Sequence, residues 1–338
     1  MIRYRISIAP EYMVSGIFTI LSNATLLALI LSSRRLRTIR HVIIMSTLVA
    51  GILFAASYII PRFAILLTNG TLSFPRDFRC GILSRIGQSL FLCLNLHLLI
   101  HVLEVYILVV YPFRTQQWLR KKMITIILVV IWSITILIPT VFQLYFELKA
   151  IADTRFNELA CAQVSTTLLT VISLCLALLS FSILVVSSVA YAHVLHITNR
   201  AITETYKVLN RLSINFDEGN TKVSRQKKKI SNLKLRIKSV FQALVFYLFY
   251  LLSLTPFLIL IIYTQFAYTI YLLPWPSQLR VVFRYIQYIA FFFPAIQPIL
   301  FLLFTAEFRK EMKLYGKRVP GSTSLSKRGL STMGAFST

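Results

Sequence analysis

Few residue groups in this chain could do chemistry. Glu104 stands with His97 and His101 at i, i+4 and i+7 spacing, so the three share one face of a helix. Such a face could bind a metal ion or sense protons. The alternative is a pair of histidines that hydrogen-bonds to neighbouring helices, and the lack of a second acid beside them favours it. Four arginines, Arg62, Arg85, Arg280 and Arg284, fall near the outer ends of apolar runs, with no carboxylate at that end of those runs to oppose them. Arginines so placed can grip a carboxylate or phosphate, with Gln88 and Phe91 as the floor of a pocket, or snorkel to lipid headgroups. Arg85 and Arg284 are the better placed for gripping. No nucleophile stands with a base, and there is no metal-ligand cluster or phosphate loop, so neither an enzyme nor a cofactor is expected.

These groups sit in a chain that is 57% apolar and only 14% charged, with a mean hydropathy of +0.73. A soluble domain carries nearer a quarter charged residues, so this is an integral membrane protein. The net charge of +25 raises the question of nucleic acid. Placement answers it: four segments, 34–41, 114–122, 196–238 and 306–338, hold 26 of the 36 Lys and Arg and alternate with poorer ones. That is the positive-inside pattern of a multi-span protein, and no nucleic-acid partner is expected.

Seven apolar runs follow, at 12–33, 41–67, 80–110, 123–146, 165–195, 237–264 and 279–304. Each is long enough to cross a bilayer as a helix. The first is too long for a signal-peptide core and lacks a small-residue cleavage site, so it reads as a span. The expected fold is an all-α integral membrane protein, a seven-transmembrane helix bundle occupying 12–305, with a short amphipathic eighth helix at 306–315. Residues 1–11 form an outer tail and 316–338 a disordered cytoplasmic one. In 306–315, Phe308, Met312 and Tyr315 share a face among bases, as in a helix lying on the inner leaflet. Pro61 should kink the second span. The bases of 225–229 should extend the sixth helix into the cytoplasm, meeting anionic lipid or a partner protein. Asn69-Gly70-Thr71, in the first outer loop, spells a glycosylation acceptor.

The third run carries the most information. Cys80 opens it, Glu104-Val105-Tyr106 comes near its end with Val105 25 residues on, and Pro112 follows seven later. This resembles the third helix of rhodopsin-like G-protein-coupled receptors, with valine where that family has arginine. Asn23 in the first span, Trp132 and Pro139 in the fourth, and Tyr191 at the end of the fifth are similar to family features. So are Tyr250 and Pro256-Phe257 in the sixth, Gln297-Pro298-Ile299-Leu300-Phe301 in the seventh, and Phe308-Arg309 beyond it. The departures are Gly51 for the aspartate that binds sodium, Gly87 for the aspartate of amine receptors, Ile183 for proline, Leu254 for tryptophan and Phe301 for tyrosine. They imply no sodium pocket, no cationic ligand and no bulge in helix 5.

The resemblance implies a receptor at the plasma membrane with its amino end outside. It would bind an extracellular ligand, here anionic or amphiphilic, and swing helix 6 about Pro256 to admit a heterotrimeric G protein. The outer face is oxidising, so a bridge between Cys80 and Cys161 would tie the second outer loop to helix 3, worth about 2–4 kcal/mol. With Val105 beside it, Glu104 could instead bridge Arg236 or a base in 114–122 to hold the resting state, or be an interfacial carboxylate. Two other readings stand beside this one: a signalling-impaired scaffold, and a transporter or channel. Against the latter there is no internal repeat and no pair of broken helices.

Overall fold

In the computed structural model the described residues are 2–67, 83–111, 120–152, 166–214, 220–270 and 277–318. They form helices, with no strand among them. We number the helices α1 (Ile2–Ser32), α2 (Ile39–Phe54, a π-helical turn Ala55–Ile59, then Ile60–Leu67), α3 (Leu83–Val110) and α4 (Lys121–Ala152). α5 (Thr166–Ile214), α6 (Asn220–Thr264 with a π-helical end, Gln265–Ile270), α7 (Ser277–Phe304) and α8 (Ala306–Arg318) complete the series. Helices dominate because hydrocarbon offers backbone N–H and C=O groups no partner but each other.

Seven stretches, one in each of α1 to α7, are long and apolar enough to cross a membrane. The protein is a multi-pass membrane protein, and the fold is the expected seven-helix bundle. α3 is its axis, packing on α2, α4 and α5 and touching α6; α1 packs on α2 and α7, and α6 fills the gap between α5 and α7. Large apolar side chains such as Val14, Ile136, Val189 and Leu252 face outward at more than 60% exposure, the surface a bilayer would cover. We call the end carrying the start of α1 the N-face and the opposite end the α8 face.

Some sequence-based expectations hold, the unbroken α5 and the extended α6 among them, and others differ for local reasons. α1 begins at Ile2 and runs through Pro10, so residues assigned to a tail are helical. α2 changes to π-helical pitch at Ala55–Ile59, immediately before Pro61. A proline there has no N–H for Ser57 O, and the wider turn accommodates the break. α5 is continuous through Ile183. α6 begins at Asn220 and includes the basic run 225–229. α8 does not lie free on a leaflet: Phe308 is fully buried among Leu26, Ile30, Leu36, Ile44 and Leu48, while Met312 is 48% exposed.

Prolines in α7 explain why α1 is bound to it. Pro298 cannot donate to Pro294 O, and Asn23 Nδ2 donates there instead at 2.9 Å, while Ser22 Oγ donates to Ala295 O at 3.1 Å. Asn23 thus joins α1 to α7.

Candidate functional site

The N-face of the bundle holds a cavity of about 280 Å³ among α2, α3, α5, α6 and α7. Its apolar wall combines the rings of Tyr58, Phe91, Phe257, Phe283 and Phe291 with aliphatic side chains of α5 and α6. Phe91 meets Phe257 edge-on at 5.6 Å, and Phe291 does the same at 5.5 Å, so one ring cluster links three helices. Gly87 admits Tyr58 to this cluster, since a Cβ there would overlap the Tyr58 ring. The polar wall consists of Arg62, Gln88, Ser173, Ser180, Thr264, Gln265 and Gln287, with no carboxylate among the described lining residues. Arg62 donates to Tyr58 Oη at 2.5 Å and stands over that ring at 5.3 Å.

Gln88 and Phe91 line this cavity as expected, but the arginines are arranged differently. Arg85 is 8% exposed and lies behind the wall, donating through Nη1 to Gln88 Oε1 at 2.6 Å and Ser173 Oγ at 2.8 Å. Arg284 does not line the cavity, and its carbonyl accepts from Tyr12 Oη at 2.8 Å. Among the described residues, Arg62 is the arginine on the lining. The side chain of Arg280 lies outside the described residues. Ser173 gave no sequence signal, being one serine among several in an apolar run.

The histidines of α3 pair with α2. His97 Nδ1 lies 2.8 Å from Cys93 O, a carbonyl that can only accept, so Nδ1 carries the proton. Its Nε2 then accepts from Ser46 Oγ at 2.7 Å, and Ser46 accepts from Trp132 Nε1 at 2.9 Å. The Thr47 hydroxyl donates to Ile43 O at 2.9 Å, so His101 Nε2 must donate to Thr47 Oγ1 at 3.3 Å. Both histidines make interhelical bonds, and no group of three or more metal-binding side chains occurs among the described residues.

At the α8 face a smaller cavity of about 90 Å³ is lined by His41, His101, Glu104, Val105, Tyr191, Phe301 and Glu307, among others. Glu104 is buried, with His101 Nδ1 4.0 Å from its Oε2. His41 Nε2 lies 3.4 Å from Glu307, and Glu311 pairs with Arg35 at 3.7 Å and accepts from Ser33 at 3.1 Å. α8 is therefore pinned by its buried phenylalanine and by carboxylates reaching the α1–α2 connection. The Arg236 side chain, Pro112, Cys80, Cys161 and Asn69 lie outside the described residues.

Between the two cavities, tyrosines tie α6 to its neighbours. Tyr250 donates to Asn95 Oδ1 on α3, Tyr247 Oη pairs with Ser188 Oγ on α5 at 2.5 Å, and Tyr191 Oη donates to Ala243 O at 3.1 Å. Tyr106 Oη meets His193 Nδ1 at 3.2 Å. Phe301 stacks on Phe246 at 5.0 Å, so losing the family hydroxyl leaves an apolar α6–α7 contact. Gln297 lines a void of about 20 Å³ together with Asn95, Tyr250, Leu254 and Pro294. Asn95 was missed by sequence, though an amide inside an apolar run was signal enough.

Gly51 packs on Asn23, where an added Cβ would stand 3.0 Å from Oδ1, an oxygen with no described hydrogen-bond partner. A carboxylate there would face another acceptor. Gly51→Asp is expected to lower stability by about 1–3 kcal/mol. The unsubstituted protein should unfold at the same temperature in sodium and choline chloride, as measured by thermal unfolding in detergent.

No curated protein matches the chain. The family model described as 7 transmembrane receptor (rhodopsin family) matches residues 22–301. With seven crossing helices arranged around α3, the chain belongs to the rhodopsin family of seven-transmembrane receptors.

Proposed function

We propose that the chain is a plasma-membrane receptor, N-face outward, that takes an anionic or amphiphilic extracellular ligand into the 280 Å³ cavity and signals to a heterotrimeric G protein. One observation carries the reading: Phe257 lines the cavity and follows Pro256, where α6 lacks a ladder bond to Leu252 O. A ligand pressing on Phe257 acts at the weakest point of α6, and an outward swing of its inner half would open the α8-face cavity. A shift from 1:99 to 99:1 requires a preference of about 5.5 kcal/mol for the open form. In this reading a Cys80–Cys161 bridge closes the N-face, Asn69 carries glycan, and Gln297-Pro298 and Pro112 shape the inner ends of α7 and α3.

The test is nucleotide exchange by heterotrimeric G proteins and ionic current, recorded in the same expressing cells. Ligand-dependent exchange without current is expected. Current without exchange would assign a channel, and neither would assign a scaffold, a reading favoured by Val105 in the place of arginine.

Glu104 and Arg236 are proposed to hold α3 to α6 at rest. Glu104→Arg alone should raise basal exchange, and combining it with Arg236→Glu should return exchange toward its starting level. Basal exchange unchanged by the single reversal would remove this role.

A further inference from the structure

One part of the polar wall of the N-face cavity, Gln88 with Ser173, presents donors whose orientation is fixed by stereochemistry, while Gln265 and Gln287 elsewhere on the wall carry acceptors as well. Arg85 Nη1 can only donate, so the Gln88 atom 2.6 Å away must be Oε1. Gln88 therefore turns Nε2 toward Ser173 Oγ, at 3.0 Å. Ser173 Oγ also accepts from Arg85 Nη1 at 2.8 Å. With two N–H donors on its oxygen, both lone pairs of Ser173 are engaged, and its own O–H is left as an obligate donor. Arg62, the charged residue among the described lining, carries donors only.

From this arrangement we infer that Ser173, Gln88 and Arg62 form a head-group subsite for a carboxylate, the rest of the ligand being apolar and packed on Phe91 and Phe291. The inference rests on the proposed use of this cavity as the ligand site. Arg85 is a positioning residue: its charge lies behind the wall, polarises Ser173 and holds Gln88 in one rotamer. A carboxylate accepts at every lone pair and matches the wall, whereas an ammonium group would bring donors against donors and a cation beside Arg62. The cavity, at about 280 Å³, lies just below the usual range for drug-sized small-molecule sites. The ligand class is thus a small monocarboxylic acid with an aliphatic or aromatic body.

Purified full-length protein in lipid nanodiscs would be titrated with hexanoate, octanoate, decanoate and 3-phenylpropionate, each beside its primary amide and amine, reading the thermal unfolding midpoint and the dissociation constant. At least one acid should raise the midpoint, its amide less, and its amine not at all. Ser173→Ala should weaken that acid about tenfold, with Ser173→Thr restoring most of the affinity. Arg85→Gln should weaken the acid more than the amide. Amines that bind as well as acids, acids that all fail to bind, or an unchanged acid affinity in a folded Ser173→Ala protein would overturn the subsite. Acids that bind without altering G-protein exchange would leave the subsite standing and sink the signalling reading. Exchange driven by compounds lacking an acceptor head would do the reverse.

Discussion

Tyr250→Phe is expected to raise ligand-independent nucleotide exchange about tenfold, which corresponds to removing roughly 1–2 kcal/mol from the resting state. The hydroxyl of Tyr250 is buried and donates to Asn95 Oδ1, the described side-chain hydrogen bond between α6 and α3. Asn95 is itself buried, and its Nδ2 already lacks a described partner. Loss of the tyrosine hydroxyl leaves both polar ends of the amide unsatisfied in the closed bundle, where water reaches them poorly. An outward swing of α6 would let water in, so the penalty falls on the closed form. Adding Asn95→Leu removes the stranded amide, so the double variant should recover stability lost by Tyr250→Phe and bring exchange part of the way back, the remaining rise reflecting loss of the bond itself. Thermal unfolding and exchange measured on the same three preparations separate the two effects. Basal exchange that stays at the original level in Tyr250→Phe would show that the bond does not restrain α6.

Phe54→Ala should produce the largest loss of stability of any single substitution considered, about 3–5 kcal/mol. Phe54 is fully buried and sits under the cavity floor, its ring 5.4 Å from Tyr58 and 6.3 Å from Phe91, and edge-on to Phe291 at 5.4 Å. Truncation leaves a void that three helices would have to collapse around. Because Phe91 and Phe291 line the cavity, the same change should also weaken ligand binding. Leu252→Ala is the control: that side chain is 71% exposed on the lipid-facing surface and its loss should barely move the unfolding midpoint. Equal midpoints for the two variants would contradict the core assignment.

The helices and their order were legible in the sequence because the bilayer imposes one solution on each apolar run. The proline positions, Asn23 and Trp132 were legible for a related reason: a polar or ring-locked residue at membrane depth has few physical uses. What could not be read was rotation about each helix axis. Arg62 and Arg85 are both arginines near helix ends, and only packing shows that one lines the cavity while the other lies behind it. Ser173 gains its meaning from Arg85 and Gln88 on another helix. Phe308 was read as facing lipid from its own periodicity, which cannot report that α1 and α2 offer a deeper apolar site. The π-helical turn of α2 follows from Pro61 acting on the turn before it, a displacement that residue spacing does not reveal.

The proposed lever motion of α6, restrained at rest and driven from the N-face cavity, can be read as a distance. Spin labels at Leu108 on α3 and Phe241 on α6, both exposed, would be placed in protein carrying Cys175→Ser, and their separation measured by pulsed electron resonance. A longer-distance population should grow when a binding carboxylic acid is added, and should be present without it in Tyr250→Phe. Superimposable distributions in all three samples, with the acid demonstrably bound, would contradict it.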